Sequence, residues 1–110
     1  MVVITRKDLK PGAQLAQSLH AISQYSLEHE NKFKQWNNNY IISLSIENEQ
    51  KLGNLLLNLE KKGVQVSSFY EPDLNNELTS ICFLENDITR RLTSSLPLSF
   101  KEFKTNNKYE

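Results

Sequence analysis

The chain predicts an α/β domain of three layers: a mixed four-stranded sheet with helices on both faces. Three observations carry that expectation. Short apolar runs rich in β-branched residues recur at 2–5, 40–46, 64–69 and 79–84, and runs of that length and composition read as strands. Segments with helical spacing separate the first three runs, and crossovers of that kind set strands parallel. Only a short polar stretch separates the last two, which predicts one antiparallel pair.

In chain order, Val2-Val3-Ile4-Thr5 is bounded by charge and reads as a buried first strand. Pro11-Gly12 marks a turn, and a helix follows over 12–30. Its core stripe is read as Leu15, Leu19, Ile22 and Ser26, with Ala16 and Ala21 allowing close approach. Gln17 and His20, three apart, share a different face. Phe33 and Trp36 have the spacing of a short helix that Asn37-Asn38-Asn39 then breaks.

The second strand occupies 40–46. Leu52, Leu55, Leu56 and Leu59 recur at the spacing of one buried helix face over 49–62, and Gly63 is its stop signal. A third strand spans 64–69. Pro72 and Asn75-Asn76 make 71–78 a loop or wide hairpin connection. After the fourth strand, Asp87 is read as the cap of a last helix through 96, closed by Pro97. One domain over 1–103 is expected, with 104–110 a frayed tail.

Bulk properties narrow the function classes. At 110 residues and 38% hydrophobic content the chain is long enough for one core. Thirteen basic and thirteen acidic residues cancel, so the overall basic excess of a nucleic-acid binder is missing, although a local patch is compatible with that balance. Cys82 is the only cysteine and lies in an apolar run, which reads as a buried core residue. No stretch approaches the ~20 apolar residues of a membrane span, and no leader of the secretory kind is visible. The expectation is a cytoplasmic protein with no membrane partner.

Two polar segments follow strands, where open α/β sheets place their ligand crevice. In the first, Arg6, Lys7 and Lys10 read as phosphate contacts near a helix N-terminus; the alternative is a solvated strand end with Asp8 bonded to turn amides. In the second, Glu71, Asp73 and Glu77 gather around Thr79. One of these carboxylates orients a water or a lysine, or else the group is an acidic loop in which Asp73 caps a turn. His20 reads as a satisfied, helix-buried histidine or as a general base awaiting a partner, and His29 as a complement to the helix dipole. No ligand spacing suggests zinc or another metal.

Asp8-Leu9 and Ala16-Gln17-Ser18-Leu19-His20-Ala21, with a strand opening on Thr79, resemble the type 2 peptidyl-tRNA hydrolases in a short variant. A single tryptophan, a Leu-Ser strand and a leucine-rich helix ending in Lys-Gly occur in matching order, so the likeness covers roughly 2–100. The family's Gly-Lys-Gly-Lys turn is contracted here to Pro11-Gly12-Ala13-Gln14, which leaves Lys10 as the closest cation. The resemblance implies metal-independent cleavage, with no cofactor, of the ester between a peptide and the tRNA 3′ ribose. It implies Lys10, Asp73 (or Glu71) and Thr79 as catalytic residues, and Arg6, Lys7, Gln17 and His20 as substrate contacts. It further implies peptidyl-tRNA or another RNA as partner, and a homodimer. The alternative is a non-catalytic member of the same fold that binds RNA, a nucleotide or a protein.

Overall fold

The computed structural model describes residues 1–101, so the tail expected at 104–110 lies outside the described residues. The elements run β1 (Val2–Arg6), α1 (Pro11–Glu28), α2 (Glu30–Trp36), β2 (Ile42–Ile46), α3 (Glu49–Lys61), β3 (Ser67–Glu71), β4 (Glu77–Phe83) and α4 (Asp87–Thr93). The strands form one mixed sheet in the order β2-β1-β4-β3. β1 and β2 are parallel, joined by the α1–α2 crossover, and β4 is antiparallel to both β1 and β3. β1, β2 and β3 therefore point the same way, and their carboxyl ends share one end of the sheet.

Alternation along the strands splits the core into two layers. Val2, Ile4, Leu44, Ile46, Leu78, Ile81 and Phe83 pack with Leu52, Leu56 and Leu59 of α3 on one face. Val3 and Cys82 pack with Ala21 and Tyr25 of α1 on the other, with Phe33 and Trp36 of α2 partly buried against them. The leucine spacing of α3 thus faces the sheet as expected. That helix ends as its sequence dictates. Gly63 takes φ 80° while Gly63 N–H donates to Glu60 O and Val64 N–H to Leu59 O, the two bonds of a Schellman stop.

α1 lies the other way round from its expected stripe. Its buried residues are Gln14, Gln17, Ser18, Ala21 and Tyr25, while Leu15 and Leu19 are each 58% exposed. Ile22 is only partly buried. The physical reason is the strand face beneath it, which carries Thr5, Thr79 and Ser80, all buried. Thr5 and Ser18 share a hydrogen bond at 2.5 Å, and Ser80 Oγ donates to Gln17 O at 2.6 Å. A polar helix face meets a polar sheet face, and among the described residues no buried side-chain polar atom is left without a partner.

Several element boundaries also move. β2 starts at Ile42 rather than residue 40. β3 covers Ser67–Glu71 rather than 64–69; with Ser67 opposite Cys82, Val64 and Gln65 run past the end of β4 at Phe83. The connection shrinks to a 3-10 turn, Pro72–Leu74, closed by Asn75 and Asn76 at φ 54° and 58°, a left-handed conformation that Asn tolerates. α4 is capped by Asn86 and not Asp87: Asn86 Oδ1 accepts from Thr89 N–H while Thr89 Oγ1 accepts from Asn86 N–H. It stops at Thr93, and the chain beyond returns to cover the β2 edge through an antiparallel bridge of Leu98 to Leu44.

Candidate functional site

β3 and β4 are out of step at one point. Phe69 pairs with Ser80 but Tyr70 pairs with Leu78, so Thr79 is the extra residue of a β-bulge. A bulge re-aims the side chain at the extra position. Thr79 and Ser80, consecutive in the chain, consequently both reach Gln17 on α1. Thr79 Oγ1 donates to Gln17 Oε1 at 2.6 Å, and Gln17 Nε2 donates to Glu71 Oε1 at 2.9 Å. The other Glu71 oxygen accepts the Asp73 N–H at 3.4 Å. This chain fixes the Gln17 amide between a hydroxyl donor and a carboxylate acceptor, at the carboxyl end of β3.

Glu71 also pairs directly with Glu77 in the ladder, an opposition that destabilises a sheet unless each charge is compensated. The two carboxylates take separate partners: Glu71 accepts from Gln17 and Glu77 from Arg6. Arg6 Nη1 donates to Glu77 Oε1 at 2.8 Å and to Leu78 O at 3.2 Å, while Nε and Nη2 grip Asp8 at 2.9 and 2.8 Å. The hydrogen bonds from Arg6 hold the Asp8 carboxyl below its usual range, outweighing partial burial. Asp8 and Glu77 likewise raise the already high pKa of Arg6.

The residues expected to act together are thus partly assembled and partly dispersed. Gln17 and Thr79 are in one network, with Glu71. Arg6 is buried and engaged by two carboxylates, so it is not placed as a phosphate contact, and Asp8 bonds Arg6 side chain to side chain. Asp73 is exposed in the 3-10 turn; among the described residues its carboxylate has no hydrogen bond, and Glu71 caps the turn in its place. Lys10 is the exposed N-cap of α1, seven residues and about 10 Å of helix rise from Gln17. Lys7 is exposed at the end of β1. His20 is exposed too, not helix-buried; its ring stacks on Phe69 at 4.4 Å and 6° between planes. His29 is the joint between α1 and α2, its ring 4.7 Å from that of Tyr25.

The bonded network of Thr5, Ser18, Gln17, Ser80 and Glu71 was hidden in the sequence. The only hint is four polar residues, Gln14, Gln17, Ser18 and Tyr25, at helical spacing. Among the described residues no group of three or more His, Cys, Asp or Glu side chains is placed to hold a metal ion, and no helix is long and apolar enough to cross a membrane. The architecture is that of a mixed α/β domain with polar side chains gathered off the carboxyl ends of its parallel strands. Compared with known proteins, the chain matches no family model and no curated protein.

Proposed function

We propose that the protein is an ester hydrolase acting on peptidyl-tRNA, with Glu71 rather than Asp73 as the carboxylate that orients water. The observation that supports this is the Glu71–Gln17–Thr79 chain of hydrogen bonds. A general base works when its carboxylate is held in place and still has an open lone pair; Gln17 holds one oxygen of Glu71, and the other has only a long contact to a backbone amide. Gln17 is then a positioning residue, and Lys10, on the loop after β1, supplies positive charge at the same end of the sheet. The Ala16-Gln17…His20-Ala21 likeness to type 2 peptidyl-tRNA hydrolases gives the substrate class. The same reading takes the cytoplasm as location, uses no cofactor, and pairs two copies of the chain.

One observation favours a second reading, a non-catalytic module that binds RNA or a protein. Thr79 is fully buried with its hydroxyl committed to Gln17, so it offers no proton to a developing oxyanion while that bond stands. Turnover of an N-acetylaminoacyl-tRNA separates the two. The hydrolase requires that Glu71→Gln lower turnover by roughly a hundredfold to ten-thousandfold, with Asp73→Asn close to the parent. Tight tRNA binding without turnover establishes the module instead.

A further inference from the structure

We propose that the open edge of β3 is a peptide-binding site, on which the peptide part of the substrate lies as an added strand with its C-terminal residue at Glu71. The inference rests on the hydrolase reading for the place of the ester, and on the sheet itself for the rest.

The two edges of the sheet are treated differently. At the β2 edge the returning chain pairs with the strand: Ser45 N–H donates to Pro97 O and Ser99 N–H to Ser43 O, both at 2.9 Å, beside the Leu44–Leu98 bridge. β3 is the opposite edge, and among the described residues no backbone group bonds to the outer side of Ser68–Tyr70. Phe69 O faces β4, where it accepts the Thr79 hydroxyl at 3.3 Å. Main-chain groups alternate in direction along a strand, so the N–H and C=O of Ser68 and Tyr70 point away from β4. Tyr70 is 49% exposed. Strand edges are commonly blunted by Lys, Pro, a bulge or a covering segment. β3 reads Ser-Ser-Phe-Tyr-Glu and carries neither Lys nor Pro, and the extra residue of the bulge belongs to β4.

Unpaired N–H and C=O groups in a row are a template for strand addition, in which main-chain bonds give affinity whatever the side chains are. What lies at the end of this edge fixes the occupant. β3 ends at Glu71, the carboxylate that Gln17 holds. A peptide whose C-terminal carbonyl carries the ester has to place that end there, and so runs parallel to β3. In a parallel pair the N–H of its C-terminal residue donates to Tyr70 O, and the carbonyl two residues earlier accepts from Tyr70 N–H. The N–H of that earlier residue donates to Ser68 O, so a tripeptide engages both positions. The flank is uncharged. Phe69 is partly buried against the α1 residues Ala21 and Tyr25, and α1 contains no Lys, Arg, Asp or Glu from Pro11 to Leu27. Such a site reads peptide length and ignores peptide sequence.

The test is an NMR titration of the full chain with two amide analogues, which bind without being cleaved as esters. They are N-acetyl-alanine and N-acetyl-trialanine, each joined to 3′-amino-3′-deoxyadenosine. The trialanyl analogue is expected to shift the Ser68 and Tyr70 amides saturably and to bind about tenfold more tightly than the monoalanyl one, through its added hydrogen bonds. Methylating the nitrogen of its first alanine, the donor to Ser68 O, is expected to abolish that gain. Replacing its middle alanine by valine or serine is expected to change binding by less than about threefold. Tyr70→Pro removes an outward N–H at a place where a strand edge accepts proline, and is expected to weaken the trialanyl analogue alone. Equal affinity of the two analogues, or shifts that avoid β3, overturns the proposal. So do Ser68 and Tyr70 shifts that appear on concentrating the free chain, which assign the edge to a second copy. Peptide-length-dependent binding without ester turnover keeps the site and removes Glu71 as a base. Turnover with no gain from peptide length removes the site and keeps Glu71.

Discussion

The Thr79 hydroxyl donates to Gln17 Oε1 at 2.6 Å across 62 positions of sequence, with both residues buried. Together with the Ser80–Gln17 bond it ties α1 to β4, and it orients the Gln17 amide so that its NH₂ group meets Glu71. It depends on the bulge, since regular alternation would turn Thr79 to the α3 face. Removing one partner of such a pair leaves the other unsatisfied, which costs more than the bond itself contributes.

Thr79→Val and Gln17→Leu are therefore each expected to destabilise by roughly 1–3 kcal/mol. The double substitution should cost less than the sum, with a coupling of about 0.5–3 kcal/mol. Urea unfolding of the four proteins measures it, and strict additivity would show that the bond does not form.

The α1 packing makes a second, sharper prediction. Leu19→Ser, on the exposed side, should change stability by less than about 0.5 kcal/mol. Ala21→Leu, beneath the helix where Ala21 is fully buried, should destabilise by roughly 1–3 kcal/mol through overpacking. The reverse order of effects would restore the leucine-in orientation. On α3, Leu56→Ala should cost roughly 2–5 kcal/mol, with Lys61→Ala near zero.

Acid should weaken the fold partly through Asp8. Its folded pKa lies below the ordinary 3.8 because Arg6 binds the charged form. A carboxyl depressed in this way contributes stability that is complete above its unfolded value and is lost as pH falls through the folded one. Asp8→Asn should accordingly lower stability at neutral pH and flatten the decline below about pH 4. Denaturation midpoints followed from pH 7 to pH 2 test it; parallel curves for the two proteins would remove Asp8 from the account.

Cys82 is fully buried, and burial pushes its thiol up to about 12. The thiolate is the reactive form, so a disulfide reagent at pH 8 should leave the native chain unlabelled and modify it completely in urea. Fast labelling of the native protein would contradict the position of Cys82 between Val3 and the α1 face.

The sequence by itself determined the class, the four strands and their order of appearance, the α3 face and its glycine stop. These rest on short-range physics: β-branched runs, a leucine period, and one residue free to adopt positive φ. Gln17 and Thr79 were singled out in the sequence by a motif likeness, and the structure joins them by a hydrogen bond. Only the tertiary structure decided which way α1 faces. Hydropathy places leucines inwards, whereas here the sheet surface below the helix is polar and hydrogen-bonds Gln17 and Ser18. The bulge at Thr79, the bond of Glu71 to Gln17, the withdrawal of Arg6 into a clamp, and the return of Leu98 to the β2 edge all arise between residues far apart in sequence. Each depends on a partner whose position is fixed only when the sheet has closed, which is why no local pattern announces it.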